Sequence, residues 1–123
     1  MAGQAALPKR LPDNALQILS FGLNGAVAQR VEAQLGSLGI DALCKVISTS
    51  PEGLEAVKTA LTSKPWNGVM LGPGVTEDPQ LLPLFNCLVN LIHKHAPQAK
   101  FVFPSSTEDV QTYITRELGV AIQ

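Results

Sequence analysis

Three groups of residues in this chain have types and spacings suited to chemistry: a histidine pair, two cysteines and a glycine turn. His93 and His95 stand two apart in a segment of helical pattern, which turns them to different faces, whereas joint metal ligation needs one face. Their place near a helix C-terminus is explained by the helix dipole, so no metal site is expected. Cys44 and Cys87 lie within apolar runs and form no CxxC pair. They read as buried free thiols, which suits a reducing compartment. The third group is "FGLNGAVAQRV", Phe21 to Val31, with Gly22, Asn24 and Gly25 between an apolar run and an amphipathic one. That is the composition of a strand-to-helix turn whose free N–H groups can hold an anion.

These residues have to be positioned by elements, and the chain alternates regularly between two kinds. Ala15 to Phe21, Asp41 to Ile47, Trp66 to Leu71 and Lys100 to Phe103 are short apolar runs that read as strands. Between them lie helical patterns. Val27, Val31, Leu35 and Leu38 make the stripe of the first helix, with Asn24 as its cap and Gly36 or Gly39 at its end. Ser50-Pro51-Glu52 starts the second helix, and Leu54, Val57 and Leu61 are its stripe. Asp78-Pro79 caps the third, although Pro83 moves its regular start toward Leu82. Ser106 and Asp109 have capping-box spacing ahead of a last helix that Gly119 stops near Leu118. Val120 to Ile122 is a candidate fifth strand, and residues 1–14 read as a flexible lead-in to a single domain over 15–123.

Strand–helix alternation with short connections predicts an α/β fold of three layers, with a parallel sheet of four or five strands and right-handed crossovers. Both faces of such a sheet are covered, which the continuously apolar strands require. The expected strand order is 2-1-3-4, with the fifth at the edge, a flavodoxin-like arrangement. That arrangement ordinarily closes with a fifth helix on the face of the first; here the chain reads as lacking it, which leaves part of that face bare unless the N-terminal segment or a second subunit covers it. The third helix is either simply central, flanked by the second and fourth helices, or one side of an interface. Leu81, Leu82, Leu84, Phe85, Leu88, Val89, Leu91 and Ile92 spread over about half the circumference of the third helix, wider than packing on a sheet alone needs. A homodimer is the expected partner arrangement. Asn86 and Asn90, spaced i, i+4, mark the polar side of the same helix.

In parallel α/β sheets ligands bind beyond the carboxyl ends of the strands, where the strand order reverses. Four segments meet there: Gly22-Leu23-Asn24-Gly25, Ser48-Thr49 with Ser50, Gly72-Pro73-Gly74 with Val75 and Thr76, and Pro104-Ser105-Ser106-Thr107. The candidate ligand-binding residues are therefore Gly22, Leu23, Asn24, Gly25, Ser48, Thr49, Gly72, Pro73, Gly74, Ser105 and Ser106. Backbone amides and hydroxyls are their donors. The segments hold no Lys, Arg, His or Cys, and acids begin just inside the helices at Glu52, Glu77, Asp78, Glu108 and Asp109.

Gly22-x-x-Gly25-x-x-Ala28 resembles the GxxGxxA turn of extended short-chain dehydrogenases over this first βα unit of about 25 residues. The resemblance implies a dinucleotide whose pyrophosphate approaches Gly25. Its other parts are missing: the second strand ends Val46-Ile47-Ser48-Thr49 with no acid for a ribose, and Tyr113 is followed four residues later by Glu117, so no YxxxK pair exists. A receiver would need an acid pair after strand 1 and an Asp at the end of strand 3, where this chain has Gly22-Leu23-Asn24 and Leu71-Gly72. A sugar-phosphotransferase B-type domain would need a Cys after strand 1, and a flavodoxin aromatic residues around its flavin; Trp66 lies at the opposite end of strand 3.

Composition bounds the rest. Of 123 residues, 46% are hydrophobic and 15% charged, and the net charge is −1. Scattered basic residues predict neither nucleic-acid binding nor a polybasic membrane patch. No segment approaches the ~20 apolar residues of a membrane span, and the first residues lack a signal peptide's apolar stretch, so a cytoplasmic protein is expected. The leading expectation is a domain that binds an anionic small ligand, a nucleotide or a phosphorylated metabolite. The alternatives are an oligomeric interaction protein without a ligand, and an enzyme working through backbone amides, Asn24 and hydroxyls. No residue is assigned a catalytic role.

Overall fold

A computed structural model describes residues 15–48, 50–106 and 109–119. Four parallel strands form one sheet: β1 (Gln17–Gly22), β2 (Asp41–Val46), β3 (Gly68–Leu71) and β4 (Lys100–Val102), in the order β2-β1-β3-β4. The helices are α1 (Gly25–Ser37), α2 (Pro51–Thr62), the single turn α3 (Pro73–Thr76), α4 (Leu82–His95) and α5 (Val110–Leu118), with a 3₁₀ turn at Pro79–Leu81. The sheet is a flavodoxin-like three-layer α/β arrangement in the expected order. The lead-in over 1–14 and the candidate strand Val120 to Ile122 lie outside the described residues.

Local chemistry accounts for most boundaries. Asn24 caps α1 by accepting the Val27 N–H at 3.1 Å, and Ser50 caps α2 by accepting the Gly53 N–H at 3.0 Å with Pro51 in the first turn. Gly39, at φ +82°, turns the chain after α1. Asp78 caps the 3₁₀ turn through the Gln80 N–H, and α4 starts at Leu82 because Pro83 fits a first turn and not an interior. Two starts differ from expectation. Asp109, not Ser106, is the N-cap of α5, and its side chain makes no cap hydrogen bond. Trp66 precedes β3 instead of opening it: it is fully buried, its N–H bonds back to the Lys64 carbonyl, and its indole N–H donates to the Ala60 carbonyl at 2.8 Å.

The two sheet faces carry separate cores. On one, Leu19, Phe21, Val69 and Leu71 pack against Val57 and Leu61 of α2 and Leu84, Leu88 and Ile92 of α4. On the other, Ile18, Met70 and Val102 pack against Val31 and Leu35 of α1 and Val110 and Ile114 of α5. The placement of α5 corrects the expectation that part of α1's face is bare, and with it the alternative in which the last helix flanks the third. Val110 and Ile114 are both buried among the α1-side residues, so α5 crosses to that face and covers the sheet next to α1. The wide apolar arc of α4 is divided: Leu84, Leu88 and Ile92 are buried, Leu81, Phe85 and Leu91 pack partly on the same core, and Leu82 is exposed.

Candidate functional site

Strand pleating puts alternate side chains on opposite faces. Ser20 of β1 is in register with Cys44 of β2 on one side and Met70 of β3 on the other, and all three are on the α1 face at the carboxyl end of the sheet. They floor a crevice of about 270 Å³. Val27, Ala28 and Val31 of α1 form one wall, and Pro104 with Val110 at the start of α5 the other. Gly22, Leu23 and Asn24 after β1 and Gly72, Pro73, Gly74 and Val75 after the neighbouring β3 complete the lining. Crossing of α5 to this face is what gives the crevice its second wall.

The lining is almost wholly apolar, and no carboxylate belongs to it. Its polar side chains are the Ser20 hydroxyl, the Cys44 thiol, the Lys45 ammonium at the border and the Asn24 amide, whose oxygen already accepts the Val27 N–H. Burial, then the nearby Glu32 carboxylate, pushes the Cys44 thiol up from 9.0 to about 11, partly offset by a hydrogen bond with Ser20. The thiol is therefore protonated at neutral pH and is a poor nucleophile. At the mouth lies the N-terminus of α1, whose first N–H groups have no partner within the helix. Val27 and Ala28 donate to Asn24, to its side chain and its carbonyl, which leaves Gly25 and Ala26 for a ligand or water. The first turn of α1 contains no acid, whereas that of α2 contains Glu52.

Of the expected ligand residues, Gly22, Leu23, Asn24, Gly72, Pro73 and Gly74 border the crevice. Gly25 lies outside its lining, and a Cβ there would touch only Val46 Cγ2, at 3.9 Å. The structure does not bring the hydroxyls to it. Ser48 lies on the α2 side in a smaller hollow of about 170 Å³, its Oγ 2.9 Å from Ser50 Oγ. Ser105 is exposed and donates to Asp109 Oδ2 at 3.2 Å. Ser106 is outside the lining, its carbonyl accepting the Asp109 N–H. Thr49, Thr107 and Glu108 are outside the described residues. Ser20, Ala28, Cys44, Lys45 and Met70 line the crevice without having been singled out as binding residues. Strand alternation joins Ser20, Cys44 and Met70 only once the register between the strands is known. Lys45, exposed at the end of β2 and bordering both hollows, is the cation that reading the loops alone leaves out.

His93 and His95 are in the last turn of α4, at the opposite end of the sheet. Among the described residues no three His, Cys, Asp or Glu side chains are grouped so as to hold a metal ion, and no helix is long and apolar enough to cross a membrane.

Fold and crevice together define a flavodoxin-like α/β domain with an apolar hollow at the carboxyl edge of its sheet. Comparison with protein-family models, curated proteins and solved structures finds no match for the chain.

Proposed function

We propose that this domain binds a small molecule that places an apolar ring in the crevice and an anionic group at the N-terminus of α1, as a mononucleotide or a ring-bearing phosphorylated metabolite would. One observation carries this reading: an apolar hollow opens directly beside the acid-free N-terminus of a 13-residue helix. The volume is just below the range of about 300–1,000 Å³ usual for small-molecule sites, so it suits one ring system better than a whole dinucleotide. Lys45 adds positive charge at the border. The reading is binding rather than catalysis, because the thiol on the floor is held protonated and no histidine lines the crevice. Cys44 and Cys87 are both unpaired, which supports a cytoplasmic setting.

Thermal unfolding against adenosine monophosphate, flavin mononucleotide, inorganic phosphate and an uncharged aromatic compound tests the proposal. Ring-bearing phosphates raise the Tm by several degrees at saturating concentration, and phosphate alone or the uncharged ring raises it less. Gly25→Glu places a carboxylate where it favours the helix but repels the anion; it keeps the fold and loses the shift. A panel without any effect, or a shift unchanged in Gly25→Glu, overturns the reading.

A further inference from the structure

Ser20 is half-buried on the crevice floor, with Cys44 beside it in register on β2 and Met70 on β3. Neighbouring strands lie about 4.8 Å apart, so the hydroxyl has a sulfur-bearing side chain on each side. Residues two apart on a strand share a face. The next positions on this face, toward the carboxyl edge, are therefore Gly22 beyond Ser20 and Gly72 beyond Met70. Gly22 ends β1, and Gly72 keeps extended backbone at φ −75° and ψ 170°. Both border the crevice, and an added Cβ at either would meet nothing within 4 Å. Between Ser20 and the mouth the strand thus offers about 7 Å of bare backbone, on which a planar ring can lie with its inner edge at the hydroxyl.

The chemistry of the floor decides what that edge has to carry. Burial first, and Glu32 second, keep the proton on the Cys44 thiol at neutral pH. The S–H can then donate to Ser20 Oγ, which leaves the Ser20 O–H to donate into the crevice. Its complement is an atom with a lone pair, such as an aromatic nitrogen or a ring carbonyl oxygen. The two sulfur side chains favour an aromatic ring beside them. A sugar ring makes a different demand, because it carries several hydroxyls. The crevice meets them with one hydroxyl, one thiol and, at its border, Asn24 and Lys45. Each hydroxyl left unpaired in an apolar hollow weakens binding by about fivefold or more.

Given the binding proposed above, on which this rests, we infer that the ring in the crevice is a heteroaromatic base, lying over Gly22 with a lone-pair atom at the Ser20 hydroxyl, and that sugar phosphates are discriminated against. Isothermal titration calorimetry of the full chain tests it with adenosine and uridine monophosphates, with analogues of each that lack one acceptor on the base, and with ribose and glucose phosphates. A nucleotide binds about tenfold or more tightly than either sugar phosphate. Ser20→Ala weakens that nucleotide by about three- to tenfold, and circular dichroism verifies that the variant keeps the fold. One analogue loses the same factor against the wild type and loses nothing further against Ser20→Ala, the non-additivity that marks a direct contact. The analogue series against the wild type needs no variant at all. Sugar phosphates that bind as tightly as the nucleotides overturn the inference and leave the binding site standing. An affinity unchanged in Ser20→Ala, or analogues that all bind like their parents, overturns the Ser20 contact with the same consequence. Absence of binding by every compound overturns the inference and the binding reading together.

Discussion

Glu32 of α1 reaches over the open edge of β2 and accepts the backbone N–H of Cys44 at 2.8 Å. Among the described residues β2 has a neighbour on one side only, so this N–H faces outward, and a carboxylate fills the place a further strand would take. The contact is charge-assisted and partly buried. Glu32→Ala is therefore expected to lower stability by about 1–2 kcal/mol, and Glu32→Gln, which keeps an acceptor oxygen, by less. Urea unfolding of the three proteins checks the order; equal stabilities would mean that water replaces the carboxylate without loss.

The same carboxylate raises the Cys44 thiol, after the larger effect of burial, from 9.0 to about 11. For a group whose folded value is raised, the contribution to stability is complete below the unfolded value and lost as pH rises through the folded one. Stability of the wild type should fall between pH 9 and 11 more steeply than that of Cys44→Ala, in which this titration is absent. Native Cys44 should also alkylate slowly at neutral pH and at a normal rate after unfolding. Parallel curves for the two proteins over that range would remove the assignment.

Two helical glycines respond in opposite directions to alanine. Gly36 in α1 has nothing within 4 Å of an added Cβ, so Gly36→Ala should gain about 0.5–1 kcal/mol from the reduced freedom of the unfolded chain. At Gly53 in α2 a Cβ would strike Ser48 Oγ and come within 2.7 Å of the Ser48 carbonyl oxygen, which is backbone and cannot swing aside. Gly53→Ala should lose about 1–3 kcal/mol, with the α2 cap at Ser50 loosened. Thermal unfolding of both variants decides the signs.

How the sequence and the structure relate follows from what each kind of pattern encodes. Strand order, the caps at Asn24 and Ser50 and the stop at Gly39 are local or topological, and short apolar runs between amphipathic ones suffice to read them. The crevice is different, because its floor is built from one residue on each of three strands. Strands buried on both faces are apolar throughout, so nothing in "ALQILSF" or "WNGVML" shows that Ser20 and Met70 point the same way. Reading by residue type favours the hydroxyls of Ser48, Ser105 and Ser106; those of Ser48 and Ser105 are employed in local hydrogen bonds instead, and Ser106 lies outside the crevice lining. The side taken by α5 was illegible for a related reason: its stripe of Val110 and Ile114 fits either core, and which core has room is a property of the whole sheet.

Ala28 offers the most direct test of where a ligand sits. It lies one turn into α1, half-buried, with its side chain on the crevice wall. Ala28→Leu adds three carbons to a hollow of about 270 Å³ and replaces one strong helix former by another. Filling an apolar cavity buries surface without crowding packed atoms, so the Tm of the free protein should hold or rise. The leucine occupies space the ring of a ligand needs, so the Tm shift caused by the best-binding nucleotide of the panel should shrink to near zero. Gln29→Leu, on the exposed side of the same helix, is the matched control and should keep the full shift. A shift of wild-type size in Ala28→Leu would put the ligand outside the crevice even if Gly25→Glu abolishes binding, and would leave the α1 N-terminus as an anion site without a ring pocket.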